Sequence, residues 1–169
     1  MSEPISGYAI EFGGNVSVYV SDVSDSHSTI CEEFGIRDIM SNESRVWAFD
    51  FGPDIYKPSS DVSTWNIRYN SAATCCMRQT PDIETEDRIK SIMSQKATRW
   101  IYTSGNHVTE TRGFYFGTST GTVVSGYAKF YENSSGIVES GFARFYDNSK
   151  GIVRGGQAWF YGKARKVLK

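Results

Sequence analysis

The 169-residue sequence predicts a mainly β fold in two parts: an acidic α+β half, residues 1–97, and a basic, aromatic β-repeat region, residues 98–169. Three observations carry that prediction. The last third repeats with a period of 15 residues; apolar and polar residues alternate in short runs along the whole chain; and the best helical periodicity is confined to one stretch, residues 81–96. Ten Tyr, ten Phe and four Trp against four Pro mark a chain that can bury a core.

Taken in order, Tyr8–Phe12 and Asn15–Val20 flank Gly13-Gly14 and read as a β-hairpin with a glycine turn. Ser28–Phe34 suits one or two helical turns stopped by Gly35. Arg45–Phe51 and Ser63–Tyr69 alternate as strands, with Gly52-Pro53-Asp54 and Lys57-Pro58-Ser59-Ser60 as loops between them. The principal helix runs from Pro81 to Lys96, with Thr80 as its expected cap and Pro81 in its first turn. Acidic residues crowd its start and Lys90 and Lys96 lie towards its end, complementing the helix dipole. Ile89, Ile92 and Met93 form its apolar stripe.

The repeat consists of SGYAKFYENSSGIVE (125–139), SGFARFYDNSKGIVR (140–154) and GGQAWFYGKARKVLK (155–169), with a degenerate copy at 110–124. Gly126, Gly141 and Gly156 form one column; Ala128, Ala143 and Ala158 another; Phe130, Phe145 and Phe160 a third; and Tyr131, Tyr146 and Tyr161 a fourth. Gly-x-Ala-x-Phe alternates with the period of a strand, and the Asn, Ser and Gly that follow are turn residues, with Gly136 and Gly151 expected to supply positive φ. Two architectures satisfy the columns. In a β-solenoid, a second corner falls at Ser140-Gly141 and Gly155-Gly156 and equivalent residues stack; in an antiparallel meander, each repeat is one long strand and a turn.

Gly156-Gln-Ala-Trp-Phe-Tyr-Gly162 resembles the Gly-x-Ala-x-Val-Tyr-Gly tandem repeats of β-solenoid segments in phage and bacterial proteins. Phe145-Tyr-Asp-Asn-Ser-Lys-Gly151 is similar, more weakly, to bacterial cell-wall (choline) binding repeats. Those repeats are longer and carry a Gly-Trp where this chain has Phe142 and Gln157. The first resemblance implies a stacked β fold, and neither assigns a function.

Motifs for chemistry are sparse. Cys31, Cys75 and Cys76 make no disulfide framework, and their spacing with His27 and His107 matches no metal site. We expect no cofactor, no metal and no catalytic residue. A Cys75 or Cys76 pairing with His107 is the only enzymatic arrangement worth testing. Asp50-Phe51-Gly52 matches the kinase metal-binding tripeptide without the motifs that accompany it. His27 and His107 both fall in polar, loop-like stretches. No apolar run reaches the length of a bilayer span and Met1–Gly7 does not read as a signal peptide, so a cytoplasmic or virion location without membrane insertion is expected.

The repeat face opposite Ala and Phe is the most suggestive surface. It carries Tyr127, Lys129 and Tyr131, then Phe142, Arg144 and Tyr146, then Gln157, Trp159 and Tyr161. Such an aromatic and cationic ribbon can stack rings and pair with anions. It can equally serve as a second packing layer. The net charge of −1 hides a division: residues 1–87 hold 15 acidic and 5 basic side chains, residues 88–169 hold 4 and 13. From these features we expect a non-catalytic interaction protein, extending to a phage-encoded effector or inhibitor of host machinery. Its partner would be a protein, a second copy of the chain, or nucleic acid or another polyanion held through residues 98–169. A structural component of a virion or fibre and a glycan-binding module are the alternatives.

Overall fold

The computed structural model describes residues 4–70 and 79–168. Cys75 and Cys76 lie outside them. The chain divides into two units, Met1–Lys57 with Asp61–Thr98, and Pro58–Ser60 with Arg99–Lys169.

In the first unit, β1 (Ile5–Phe12) and β2 (Asn15–Tyr19) form the expected hairpin, with Phe12 opposite Asn15. Gly13 and Gly14 both adopt positive φ, 57° and 82°, the geometry a two-residue hairpin turn requires. β3 (Arg45–Gly52) pairs antiparallel with β1, and β4 (Asn66–Tyr69) with β3, giving the sheet order β2-β1-β3-β4. The last strand is shorter than the sequence suggests. Val62–Thr64 winds into a 3-10 turn because the Asp61 carboxylate accepts from the Ser63 amide at its start. Between β2 and β3, α1 (His27–Glu33) and α2 (Ile36–Ile39) are separated by Gly35 at φ 57°. Ile30 and Ile36 pack with Tyr8, Ile10, Val46 and Ala48, all of one strand parity. Trp47, of the other parity, donates from Nε1 to the carbonyl of Gln79 at 2.9 Å.

The principal helix, α3, spans Ile83–Ala97. Its cap is Asp82, whose Oδ1 accepts from the Thr85 amide at 2.8 Å, and not Thr80. Asp82 stands three residues before that orphan amide, whereas Thr80 lies too far upstream. Thr85, Ile89, Met93 and Ala97 are its buried residues, an i, i+4 row that contacts β1 and β2.

The second unit is a β-solenoid of about four turns; the antiparallel meander is excluded by the pairing. Two five-stranded parallel sheets build it. β5 (Ile101–Tyr102), β7 (Arg112–Tyr115), β9 (Tyr127–Phe130), β11 (Phe142–Phe145) and β13 (Gln157–Phe160) form the first sheet. β6 (Asn106–Thr109), β8 (Thr120–Val123), β10 (Ser135–Val138), β12 (Lys150–Val153) and β14 (Arg165–Lys166) form the second. Phe130 lies against Phe145 and Gly136 against Gly151, so the sequence columns are spatial ladders.

The interior ladder runs Tyr102, Tyr115, Phe130, Phe145, Phe160, with centroids 4.9, 4.5, 4.6 and 4.8 Å apart. Those spacings match the strand separation, so the rings from Tyr115 to Phe160 stack without distorting the sheet, while Tyr102 tilts by 40° against Tyr115. Across the narrow core the rings abut Gly121, Gly136 and Gly151. A Cβ on Gly136 would fall 2.4 Å from Phe130 Cζ. Gly136 and Gly151 therefore sit within strands to make room for rings, and their φ is not positive. The left-handed turn positions are Glu132 and Asp147, at φ 57° and 56°, in the column of Gly117 and Gly162. Their carboxylates reach back one coil: Glu132 Oε2 accepts from the Gly117 amide, and Asp147 Oδ2 from the Glu132 amide at 3.0 Å. The other corner is held by Gly126, Gly141 and Gly156, all at positive φ.

Candidate functional site

The ribbon read from the repeats is real as a column and uneven as a surface. In β9, Tyr127, Lys129 and the following Tyr131 are buried, at 8%, 4% and 5% exposure. In the preceding coil Arg112, Phe114 and Phe116 are buried as well. The column emerges further along the solenoid. Phe142 is 45% exposed, Arg144 and Tyr146 are half-buried, and Trp159 and Tyr161 reach 38% and 43%. The eight candidate residues thus separate into three that are covered and five that reach solvent.

Two kinds of packing position the five. Phe116, Tyr131, Tyr146 and Tyr161, each following a first-sheet strand, stack face to face at 4.9, 5.0 and 5.0 Å. That ladder starts buried and ends with an accessible ring. One residue pair earlier, Phe142 and Trp159 stack at 6.2 Å and 17°. The Arg144 guanidinium carbon lies 5.7 Å from the Trp159 ring centroid, within cation–π range. The pairing of β11 with β13 fixes this, because it sets Arg144 opposite Trp159 and Phe142 opposite Gln157. Exposed Lys163, Arg165 and Lys166 belong to the same last coil as Trp159 and Tyr161.

Cation–π packing has a covered counterpart at the start of the unit. Trp100 carries Arg99 and Arg112 over its ring at 4.0 and 4.4 Å. Arg112 is 1% exposed, so this arrangement is part of the packing.

Neither histidine occupies an exposed turn. His27 opens α1, with Nε2 3.0 Å from the Phe49 carbonyl and 3.7 Å from Asp50 Oδ1. The neighbouring Ser6 hydroxyl donates to Asp50 at 2.7 Å, and the Ser6 amide donates to Asp25. Ser6 thus directs its hydroxyl proton at the Asp50 carboxylate and not at the His27 imidazole. Asp50 of the Asp-Phe-Gly tripeptide lies in β3 and serves this network. His107 lies in β6, in the column that glycine fills in later coils. Its ring stacks on Tyr102 at 4.0 Å and Nε2 contacts the Ser104 carbonyl at 2.7 Å. Cys31 is in α1, half-buried against the first core. Among the described residues no group of three or more His, Cys, Asp and Glu is placed to hold a metal, and no helix is long and apolar enough to cross a membrane.

Sequence reasoning missed one coil, Ile101–Thr109. It stacks on the next with offsets of 13 and 14 residues (Ile101 on Phe114, Asn106 on Thr120) and so falls out of the 15-residue period. Tyr102 beneath Tyr115 was the available signal. In comparison with known proteins, no family model matches the chain, and neither a curated protein nor a solved structure does.

Proposed function

We propose that the chain is a non-catalytic interaction protein that holds a polyanionic partner, of the kind single-stranded nucleic acid represents, on the C-terminal part of its first solenoid sheet. Phe142, Arg144, Tyr146, Trp159 and Tyr161 form the surface. The observation that carries this reading is the graded exposure of one repeated face. Aromatic and cationic side chains that are buried in the early coils are accessible in the last two, where large apolar rings ordinarily stay covered. Charge supports the choice of partner. Residues 140–169 hold seven basic side chains against a single acidic residue, Asp147; Arg154 is paired with Glu139, and Lys150, Arg165 and Lys166 belong to the second sheet, so Arg144 is the cation of this surface itself. The Asp147 carboxylate is occupied by the Glu132 amide. Rings stack on bases while the guanidinium and ammonium groups pair with phosphates, and neither interaction needs a particular sequence.

The test is fluorescence anisotropy of a labelled single-stranded oligonucleotide with Arg144→Glu and Trp159→Ala. Each variant should lose about tenfold in affinity or more, the scale of one stacking or charge contact. Lys57→Glu, on an exposed residue in the acidic half, should leave binding unchanged. Unaltered binding in both repeat variants would assign the face to packing.

A further inference from the structure

The second sheet carries a separate feature. Its outer face forms a groove of about 650 Å³ that runs across the strands from β6 to β12 and reaches Val167 beyond β14. Two columns line it. Val108, Thr122, Ile137 and Ile152 form a mostly aliphatic stripe, with Val167 next in line. Beside it run Asn106, Thr120, Ser135 and Lys150, with exposed Arg165 in register with Lys150. The groove is polarised along its length. Its β6 end carries His107, whose Nε2 contacts the Ser104 carbonyl, and no lysine or arginine, whereas its β12–β14 end carries Lys150 and Arg165.

We propose that this groove binds an anionic amphiphile, a single acyl chain with a carboxylate or phosphate head. The chain lies along Val108, Ile137 and Ile152, and the head pairs with Lys150 and Arg165. Charge complementarity fixes the orientation, since lysine and arginine are found at one end alone. The floor argues against a peptide in the same place. Its backbone donors and acceptors are spent in the β6-β8-β10-β12 ladders, so a peptide laid across the strands would cover its own amides without partners. An acyl chain has no such groups, and its transfer from water is favourable per methylene covered. Length agrees too: four strand spacings of about 4.8 Å give roughly 19 Å, enough for a chain of medium length.

The test is isothermal titration calorimetry of the full chain with dodecanoate below its micellar concentration, alongside butyrate and dodecyltrimethylammonium. One dodecanoate should bind per chain, with butyrate and the cationic amphiphile silent at the same concentrations. Lys150→Glu and, separately, Ile137→Asn should each weaken binding by about tenfold or more while far-UV circular dichroism is unchanged. Lys150 is exposed, so its substitution leaves the core intact. Absence of dodecanoate binding up to millimolar concentration would overturn the proposal, as would equal binding of the cationic amphiphile or indifference to Lys150→Glu. Capture of an acidic apolar peptide without any response to dodecanoate would reassign the groove to a protein ligand and overturn it equally.

Discussion

Gly136 and Phe130 claim the same small volume from opposite sheets, and this pairing sets the thickness of the solenoid. With 2.4 Å between a hypothetical Cβ and the ring, Gly136→Ala forces the ring or the strand to move. We expect destabilisation of about 1–3 kcal/mol by urea denaturation. Adding Phe130→Leu should recover part of that loss, because the two substitutions share one cavity. Tyr115 faces Gly121 in the same way and adds a buried hydrogen bond, 2.8 Å, between its hydroxyl and Thr109 Oγ1. Burial pushes its phenol up to about 12, so it stays neutral throughout the ordinary pH range. The glycine column was plain in the sequence, but its purpose was not. A missing Cβ serves a tight turn and a crowded strand alike, and the repeat alone does not distinguish them. The turn's left-handed residue is instead Glu132 or Asp147, each tied to the neighbouring coil by its carboxylate.

At the scale of elements, ends and caps decide. Asp82→Ala removes the acceptor for the Thr85 amide and should lower the urea midpoint at neutral pH. Among the described residues of the first unit, four carboxylates are held below their ordinary range: Glu11 by the Arg45 guanidinium, Asp54 by the Tyr56 and Lys57 amides, Asp61 by the hydroxyl and amide of Ser63, and Asp82 by the Thr85 amide. A group whose folded-state pKa is depressed contributes stability above its unfolded pKa and loses it as pH falls through the folded value. Stability of this unit should therefore decline once pH drops below about 4.5 and keep falling further down. Glu11→Gln, which removes the titrating charge that Arg45 pairs with, should make the decline shallower in urea midpoints measured across that range. The hairpin, β3 and α3 were legible because two-residue glycine turns and amphipathic periods are local. Ser63–Thr64 was misplaced because Asp61 competes for the backbone of a run that alternates like a strand.

The whole molecule joins an acidic unit to a solenoid whose cations accumulate towards its end. In a stacked array each coil is stabilised by its neighbours. Phe130 and Ala128, with a described coil on either side, are fully buried, while Phe160 and Ala158 of the last described coil are partly so. The period in the sequence revealed the columns and the face shared by Tyr127, Phe142 and Trp159, but it suited a stacked solenoid and a meander alike, and the parallel pairing decides between them. The period carried no information about exposure along that face, because identical repeats sit in unlike surroundings. Lys129 and Arg144 occupy one column, and only Arg144 reaches solvent.

The salt dependence of oligonucleotide binding tests the proposed surface most directly. Three or four phosphates neutralised on a single strand, at ~0.7 per contact, give a slope of about −2 to −3 for log affinity against log salt concentration. Arg144→Glu should flatten it by roughly one contact. A flat salt response, or no binding at low salt, would contradict a polyanion-binding role for the exposed coils.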